Sequence, residues 1–260
     1  MLGADLVPAL AAGLFIGLTL ALVGGGGSIL AVPLLVYVVG VQSPHQAIGT
    51  AATAVALNAL FGLFTHARAG TVKWRCGAVF AASGVVGAAV GAELGKSVDG
   101  ERLIAWFGLL MIAVGLSMLR DRRTAAAPDV RLSRETAAEL LPRLVPIGLG
   151  VGLLAGFFGI GGGFLIVPGL ILATAMPMPY AVGTSLVGVF AFGLTTATSY
   201  AASNLVDWRL TALLLVGGAM GAWLGVKSHQ LLAGRKRLLE RGFALLVVAT
   251  GCYVIARAVG

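Results

Sequence analysis

Charged residues are scarce in this chain. Of its 260 residues, 11% are Asp, Glu, Lys or Arg, whereas 58% are hydrophobic. A soluble domain carries about a quarter charged residues, so this composition excludes an ordinary soluble protein. The few charges lie in short stretches between long apolar runs, as the loops between membrane spans do. The composition therefore predicts an all-α polytopic membrane protein.

The residue types that most often perform catalysis or bind metals are also few. Cys76 and Cys252 lie in different apolar segments without a metal-binding or redox spacing. We interpret both as packing residues and expect no metal and no cofactor. Glu93 is the only acid within an apolar segment, and we expect it to reach the membrane surface, with a role in proton coupling as the alternative. No pair of carboxylates is present for sodium or proton coupling.

A glycine-rich stretch interrupts two of the apolar segments. It comprises Gly24, Gly25, Gly26, Gly27 and Ser28 in the first half, and Gly159, Ile160, Gly161, Gly162 and Gly163 in the second. Each glycine destabilises a helix by about 1 kcal/mol relative to alanine. The two runs therefore predict helix breaks inside the membrane.

The second half of the chain repeats landmarks of the first. The matched landmarks, 134 or 135 residues apart, are Pro33 and Pro168, Gly49-Thr50 and Gly183-Thr184, and Trp74-Arg75 and Trp208-Arg209. Several landmarks in register indicate an internal duplication. We divide the chain into an N-terminal repeat (1–119), a polar cytoplasmic linker (120–143) with Pro128 and Pro142 as helix breakers, and a C-terminal repeat (144–260).

The loop charges indicate that the repeats face opposite ways. Residues 66–75 contain three Lys or Arg and no acid, whereas residues 204–209 contain one of each sign. Residues 96–102 contain two of each sign, whereas residues 227–241 contain five Lys or Arg and one acid. Because positive loops stay in the cytoplasm, the repeats are predicted to have inverted topology, with both termini outside. The same rule accounts for the net charge of +8 without nucleic acid.

Inverted repeats require an odd number of membrane crossings in each copy. Three uninterrupted apolar segments follow each glycine run, so the broken segment must enter and return as a hairpin. The pieces beside the second run, 143–158 and 164–176, are shorter than a full span of about 20 residues. We expect re-entrant hairpins, with fully spanning ones as the alternative. The predicted fold is thus two inverted-topology repeats, each a Gly-broken helical hairpin followed by three transmembrane helices.

The two breaks have the chemistry of an anion site. A half-helix that begins at a break presents unpaired backbone N–H groups and the positive end of its dipole. Glycines let a ligand approach that backbone closely, and Ser28 can add a hydroxyl. Two such helix ends at one cavity predict the binding of a small anion.

Polar side chains after the breaks are candidates to line the same cavity. They are Thr50, Thr53 and Asn58 in the first repeat, and Thr184 and Ser185 in the second. The alternative is that Ser and Thr hydroxyls bond to their own backbone or to a neighbouring helix, and that Asn58 makes an interhelical bond. The glycine stripes in the third segment of each copy indicate close helix packing: Gly87, Gly91 and Gly95, and Gly217, Gly221 and Gly225.

In order and spacing, these landmarks resemble the sulfite exporter family, TauE/SafE. The resemblance rests on a glycine run followed by Pro33 and Gly49-Thr50, repeated through Pro168 and Gly183-Thr184, and it covers nearly the whole chain. It implies a small permease of the bacterial inner membrane for sulfite, sulfoacetate or other organosulfonates, with export as the inferred direction. Helix N-termini and Thr or Asn donors suit such anions without a buried cation.

The leading hypothesis is a secondary transporter of small sulfur-containing anions, working by alternating access, and not an enzyme. An anion channel of the same fold is the alternative within transport. An intramembrane hydrolase would use Ser28 as nucleophile and His45 or His66 as base, and a structural membrane subunit is a further alternative. The expected partners are the anion and the lipid bilayer, without nucleic acid. The glycine stripes also allow a homodimer.

Overall fold

The computed structural model describes residues 6–23, 25–119, 132, 135–232 and 236–259, and these residues form helices and loops without a β-strand. The helices are α1 (Leu6–Val23), α2 (Ala31–Pro33), α3 (Pro44–Arg68), α4 (Trp74–Ser97), α5 (Gly100–Leu119), α6 (Ala137–Phe158), α7 (Gly163–Thr174), α8 (Met178–Ala202), α9 (Trp208–Leu232) and α10 (Lys236–Val259). In order along the chain, α1 to α5 correspond to α6 to α10.

Seven helices in these ranges are long and apolar enough to cross a membrane, namely α3 to α6 and α8 to α10. The chain is therefore a multi-pass membrane protein, as its composition predicts. The helix before the second glycine run, α6, is longer than expected because it begins at Ala137, inside the predicted linker, and reaches 22 residues. Within that linker, residues 120–131, 133 and 134 lie outside the described ranges.

The segments that follow the two glycine runs are short. Residues 25–39, which we call the first return segment, change form along their length. Gly25–Leu30 is a 3-10 helix, Ala31–Pro33 is one α-helical turn, and Leu34–Val39 is a π-helix. The second return segment is α7, a regular helix of 12 residues. At a rise of about 1.5 Å per residue, α7 is too short to cross a membrane.

The centre of the molecule is formed by α3 and α8. They are the most buried of the seven spanning helices. Gly49, near the start of α3, faces Tyr200, near the end of α8, whereas Ala56 further along α3 faces Gly193. The two corresponding helices therefore run antiparallel.

A second pair of corresponding helices, α5 and α10, packs in the same way. Gly108 of α5 faces Gly251 of α10, and Gly115 faces Ala244. Residue numbers rise along one helix as they fall along the other, so this pair is also antiparallel.

Each half also packs a glycine-rich helix against the other half. In these two crossings α4 lies along α6, and α1 lies along α9. A methyl group at Gly152 would overlap the carbonyl oxygen of Gly84, and one at Gly17 would overlap that of Gly218. The backbones are thus in direct contact, as the glycine stripes predicted. The stripe residues that face helices of this same chain are Gly87, Gly91, Gly95, Gly217 and Gly221. These stripes therefore no longer argue for a homodimer.

The loops gather at the two ends of the helix bundle. We call the end formed by loops 40–43, 98–99 and 203–207 the Gln42 end. We call the end formed by loops 69–73 and 175–177 the Lys73 end. The helices α3, α4 and α8 connect the two ends.

Candidate functional site

The second break is an ordered turn. Its backbone is left-handed at Gly159, Gly161 and Gly162, with φ between +60° and +69°. The N–H of Ile160 donates to the carbonyl of Ala155 at 3.2 Å, which is the bond that closes a helix around a left-handed glycine. Other L-residues in this conformation cost about 1–2 kcal/mol each. The glycines are therefore required by the turn itself.

The first break packs back against its own helix. A methyl group at Gly27 would lie 2.6 Å from the hydroxyl oxygen of Thr19, so a side chain does not fit there. Ser28 is fully buried beside it. The other glycines of this run are Gly25 and Gly26, in the 3-10 helix, and Gly24, which lies outside the described residues.

The two breaks meet in the interior of the protein. The first return segment contacts α7, and Gly161 lies close to Val55 of α3 and Val189 of α8. These two valines occupy corresponding positions in the halves. Residues 27–33 and 159–164 are all buried. The fold therefore brings Gly27, Ser28, Gly159, Gly161, Gly162 and Gly163 into one central region.

Thr50 and Thr184 make the same contact in the two halves. The Thr50 hydroxyl accepts a hydrogen bond from the backbone N–H of Asp207 at 3.0 Å, and the Thr184 hydroxyl accepts one from Lys73 at 2.9 Å. Asp207 and Lys73 directly precede α9 and α4. Each threonine therefore anchors the start of a helix from the other half, and the two hydroxyls lie at opposite ends of the bundle.

Two further candidates bond within their own helices. The Thr53 hydroxyl donates to the carbonyl of Gly49 at 2.8 Å, and the Ser185 hydroxyl donates to that of Val182 at 2.7 Å. Such bonds are common for hydroxyl residues inside helices. The structure thus gives both side chains a local role.

Asn58 lies beside the crossing of α1 and α9. This residue is only 8% exposed, and its side chain rests against Gly218. Phe192 holds the corresponding position in the second half and rests against Gly84. Because burying an amide is costly at membrane depth, Asn58 stays a candidate for contact with a ligand.

A cavity of about 330 Å³ opens at the Gln42 end. Its polar lining consists of Gln42, Gln46, Asp207 and Arg209. The Asp207 carboxylate accepts hydrogen bonds from the backbone N–H groups of Arg209 and Leu210 at 2.9 and 3.0 Å, so it caps α9. Two amides and a guanidinium supply hydrogen-bond donors to the cavity, which suits a small anion.

A cation–π pair occupies the corresponding place at the Lys73 end. Tyr180 and Lys73 stand there in place of Gln46 and Asp207. The Lys73 ammonium lies 4.4 Å from the centre of the Tyr180 ring, as a cation–π contact. The two ends of the bundle therefore differ, one having a cavity and the other a packed pair.

Three buried polar atoms lack a hydrogen-bond partner among the described residues. They are Nδ1 of His45 and the hydroxyl oxygens of Thr196 and Tyr200. The rings of His45 and Tyr200 are 6.5 Å apart. In the sequence, His45 stands out as a candidate base, whereas Tyr200 does not stand out. The available signal was the four-residue spacing of Thr196 and Tyr200, which places them on one helix face.

Similar sequences are found among proteins named as probable membrane transporters. The family model described as sulfite exporter TauE/SafE matches residues 9–254. A "Probable membrane transporter protein" of Xylella fastidiosa (strain Temecula1) is 47% identical over 253 residues, covering 97% of this chain and 96% of the relative. "Probable membrane transporter protein YunE" of Bacillus subtilis is 29% identical over 260 residues, covering 94% of each chain. "Probable membrane transporter protein MJ0441" of Methanocaldococcus jannaschii is 27% identical over 233 residues, covering 84% of each. No solved structure matches the chain.

Proposed function

Because the chain belongs to the TauE/SafE sulfite exporter family, we propose that it exports small sulfur-containing anions across a bacterial inner membrane. Sulfite, sulfoacetate and other organosulfonates are the proposed substrates. The chain is a membrane transporter and not an enzyme, as its family and the names of its relatives indicate. The proposed mechanism is alternating access around the two glycine breaks.

The observation that carries this proposal is the meeting of two broken helices between α3 and α8. The first N–H groups of a helix have no partner within that helix. At α7 these groups follow Gly161 and Gly162 directly, and these two residues add no side chain of their own between the groups and a ligand. Helix N-termini of this kind bind oxyanions. Asn58 is a further donor candidate in the same interior.

The proposed relation between the repeats is inverted topology. The antiparallel packing of α3 with α8, and of α5 with α10, supports it, since corresponding helices of inverted repeats point in opposite directions. The loop charges support it independently. By the positive-inside rule, the Lys73 end faces the cytoplasm and the Gln42 end faces outward.

The difference between the two ends supports alternating access. A transporter of this kind exposes its binding site to one side at a time. The cavity at the Gln42 end, with the Lys73–Tyr180 pair packed at the other end, corresponds to a state open toward the outside. In the opposite state, we expect the Lys73–Tyr180 contact to separate.

The test is binding and flux with the purified protein. Sulfite or sulfoacetate should raise the melting temperature in detergent in a concentration-dependent way, because a ligand that binds only the folded state stabilises it. In liposomes, uptake should saturate and show counterflow. Flux that rises without saturation and lacks counterflow would instead indicate an anion channel of the same fold.

The Gly161→Ala and Gly70→Ala variants form a matched pair for this test. Both glycines have left-handed backbone, with φ of +60° and +69°, so both variants should lose about 1–2 kcal/mol of stability. A methyl group at Gly161 enters the central region, whereas one at Gly70, in loop 69–73, meets no atom within 4 Å. We expect only Gly161→Ala to abolish the stabilisation by sulfite. Equal responses in the two variants would rule out the breaks as the anion site.

A further inference from the structure

We propose that His45, Thr196 and Tyr200 form a second anion-binding site, which lies between the Gln42 end and the second glycine break. This proposal rests on the proposed function, because the site would bind the transported anion on its way through the protein. The ligand is a small oxyanion, and the three side chains bind it as hydrogen-bond donors.

The first argument is the state of the three polar atoms. Thr196 and Tyr200 are completely buried, and neither hydroxyl has a partner among the described residues, nor does Nδ1 of His45. Buried polar groups in native proteins are nearly always paired, so each exception calls for an explanation. His45 and Tyr200 are neighbours, and Thr196 lies one turn from Tyr200 on α8, so the three exceptions together point to a ligand that binds along this interface.

The second argument is that the three groups share one interface. His45 is the second residue of α3, and its ring lies 6.5 Å from that of Tyr200 on α8. Thr196 lies one turn before Tyr200 on α8 and therefore on the same face. Because the side chain of a helical tyrosine points toward the preceding turn, we infer that the Tyr200 hydroxyl lies toward Thr196.

The third argument is the charge around the cluster. The Lys96 ammonium lies 5.9 Å from the centre of the Tyr200 ring, and it pairs with Glu93 at 2.8 Å. The Glu93 carboxylate also accepts a hydrogen bond from Ser199 at 2.8 Å, on the exposed side of the cluster. His45 stands at the positive end of the α3 dipole. Hydroxyl and imidazole donors at a helix N-terminus favour an anion over a cation.

The position of the cluster connects it with the central region. Ile48, one turn after His45 on α3, contacts Gly159 of the second break. Val55, two turns further, contacts Gly161. One stripe of α3 thus leads from the cluster to the break.

The internal repeat does not duplicate this cluster. The positions that correspond to His45, Thr196 and Tyr200 in the other half hold Pro179, Gly62 and His66. The ring of His66 is already hydrogen-bonded to the Thr71 hydroxyl at 2.9 Å. An anion therefore meets this site only on the side of the Gln42 end.

The test removes one hydroxyl at a time and measures sulfite binding by titration calorimetry. Tyr200→Phe and Thr196→Val should each weaken sulfite binding about tenfold or more, since each deletes a hydrogen bond to a charged ligand. The controls are Thr198→Val and Thr195→Val on the same helix, whose hydroxyls already donate to the carbonyls of Thr195 and Ala191 at 2.8 Å. Both controls should bind sulfite within about twofold of the unmodified protein.

The outcomes separate this site from the proposed function. If the unmodified protein binds sulfite and both test variants bind it equally well, the second site is refuted while the transport proposal stands. If the unmodified protein binds neither sulfite, sulfoacetate nor sulfate, both proposals fail. Without anion, the test variants should melt no lower than the controls. A clear loss of melting temperature would show that the hydroxyls have protein partners, and it would refute the site.

Discussion

At the scale of single residues, the two Gly-Thr pairs connect the two halves of the protein. Gly49 lies against the carbonyl oxygen of Leu205, and Gly183 lies against that of Thr71. The next residue in each pair is the threonine that accepts a backbone N–H from the same loop. Glycine allows the loop to approach, and threonine then satisfies its backbone. The same dipeptide sequence thus makes the same contact at both ends of the bundle.

The Thr50→Val and Thr184→Val variants should each lose about 1 kcal/mol of stability, because each leaves a backbone N–H without its acceptor. The measurement is the unfolding midpoint of the purified protein in detergent. Thr65→Val is the control, since the exposed Thr65 hydroxyl donates only to Phe61 of its own helix at 3.3 Å. Unchanged stability together with lost sulfite binding would favour a role in lining the substrate site instead.

The sequence alone indicates that the Gly-Thr pair is important, because the pair occurs twice in register. It does not reveal the partner of either threonine. The bonded N–H groups lie 157 and 111 residues away along the chain. Helical periodicity describes which residues share a face of one helix, but it contains no information about a loop from the other half.

At the scale of helices, the bundle depends on two backbone-to-backbone crossings. Gly152 of α6 lies on Gly84 of α4, and Gly17 of α1 lies on Gly218 of α9. Within lipid, helices associate through close packing more than through the hydrophobic effect. Small residues at these crossings therefore contribute directly to the attraction between the halves.

The Gly152→Ala and Gly17→Ala variants should each destabilise the protein by about 1–3 kcal/mol, because the added methyl group forces the two backbones apart. Thermal unfolding in detergent, followed by size-exclusion chromatography, measures the effect. Gly150→Ala is the matched control on α6, since a methyl group there meets no atom within 4 Å. The control should be neutral or gain about 0.5–1 kcal/mol. Similar losses at Gly150 and Gly152 would contradict tight packing at this crossing.

The positions of the helix breaks could be predicted from glycine content, but the helix lengths could not. The sequence predicts a helix break at Pro142, yet this residue lies inside α6 together with Pro146. Proline is tolerated in membrane helices because neighbouring groups satisfy the backbone that it frees. The π-helical form of Leu34–Val39 carried no signal in the sequence, since it follows from how the first return segment packs in the interior.

At the scale of the whole molecule, the proposed inverted topology would place corresponding loops on opposite sides of the membrane. We predict that Cys at position 69 is labelled only from the cytoplasm and Cys at position 202 only from outside. The two variants are Ala69→Cys and Ala202→Cys, both at exposed positions, in a background with Cys76→Ala and Cys252→Ser. An impermeant maleimide applied to intact and to opened cells measures the labelling.

Gln42→Cys is the control for this experiment, because loop 40–43 lies at the same end of the bundle as position 202. It should be labelled from the same side as position 202. Labelling of positions 69 and 202 from one side would mean that the repeats are parallel, against both the loop charges and the helix directions.

The two crossings have a consequence for the order in which the protein is made. The chain is synthesised from its N-terminus, so α4 is finished before its partner α6 exists, whereas α9 emerges when α1 is already in place. During this interval the glycine stripe of α4 faces lipid without a helix on it. The first half is thus an incomplete assembly until the ribosome has passed residue 158. The second half needs no such delay, because α9 emerges when its partner α1 is already in the bilayer.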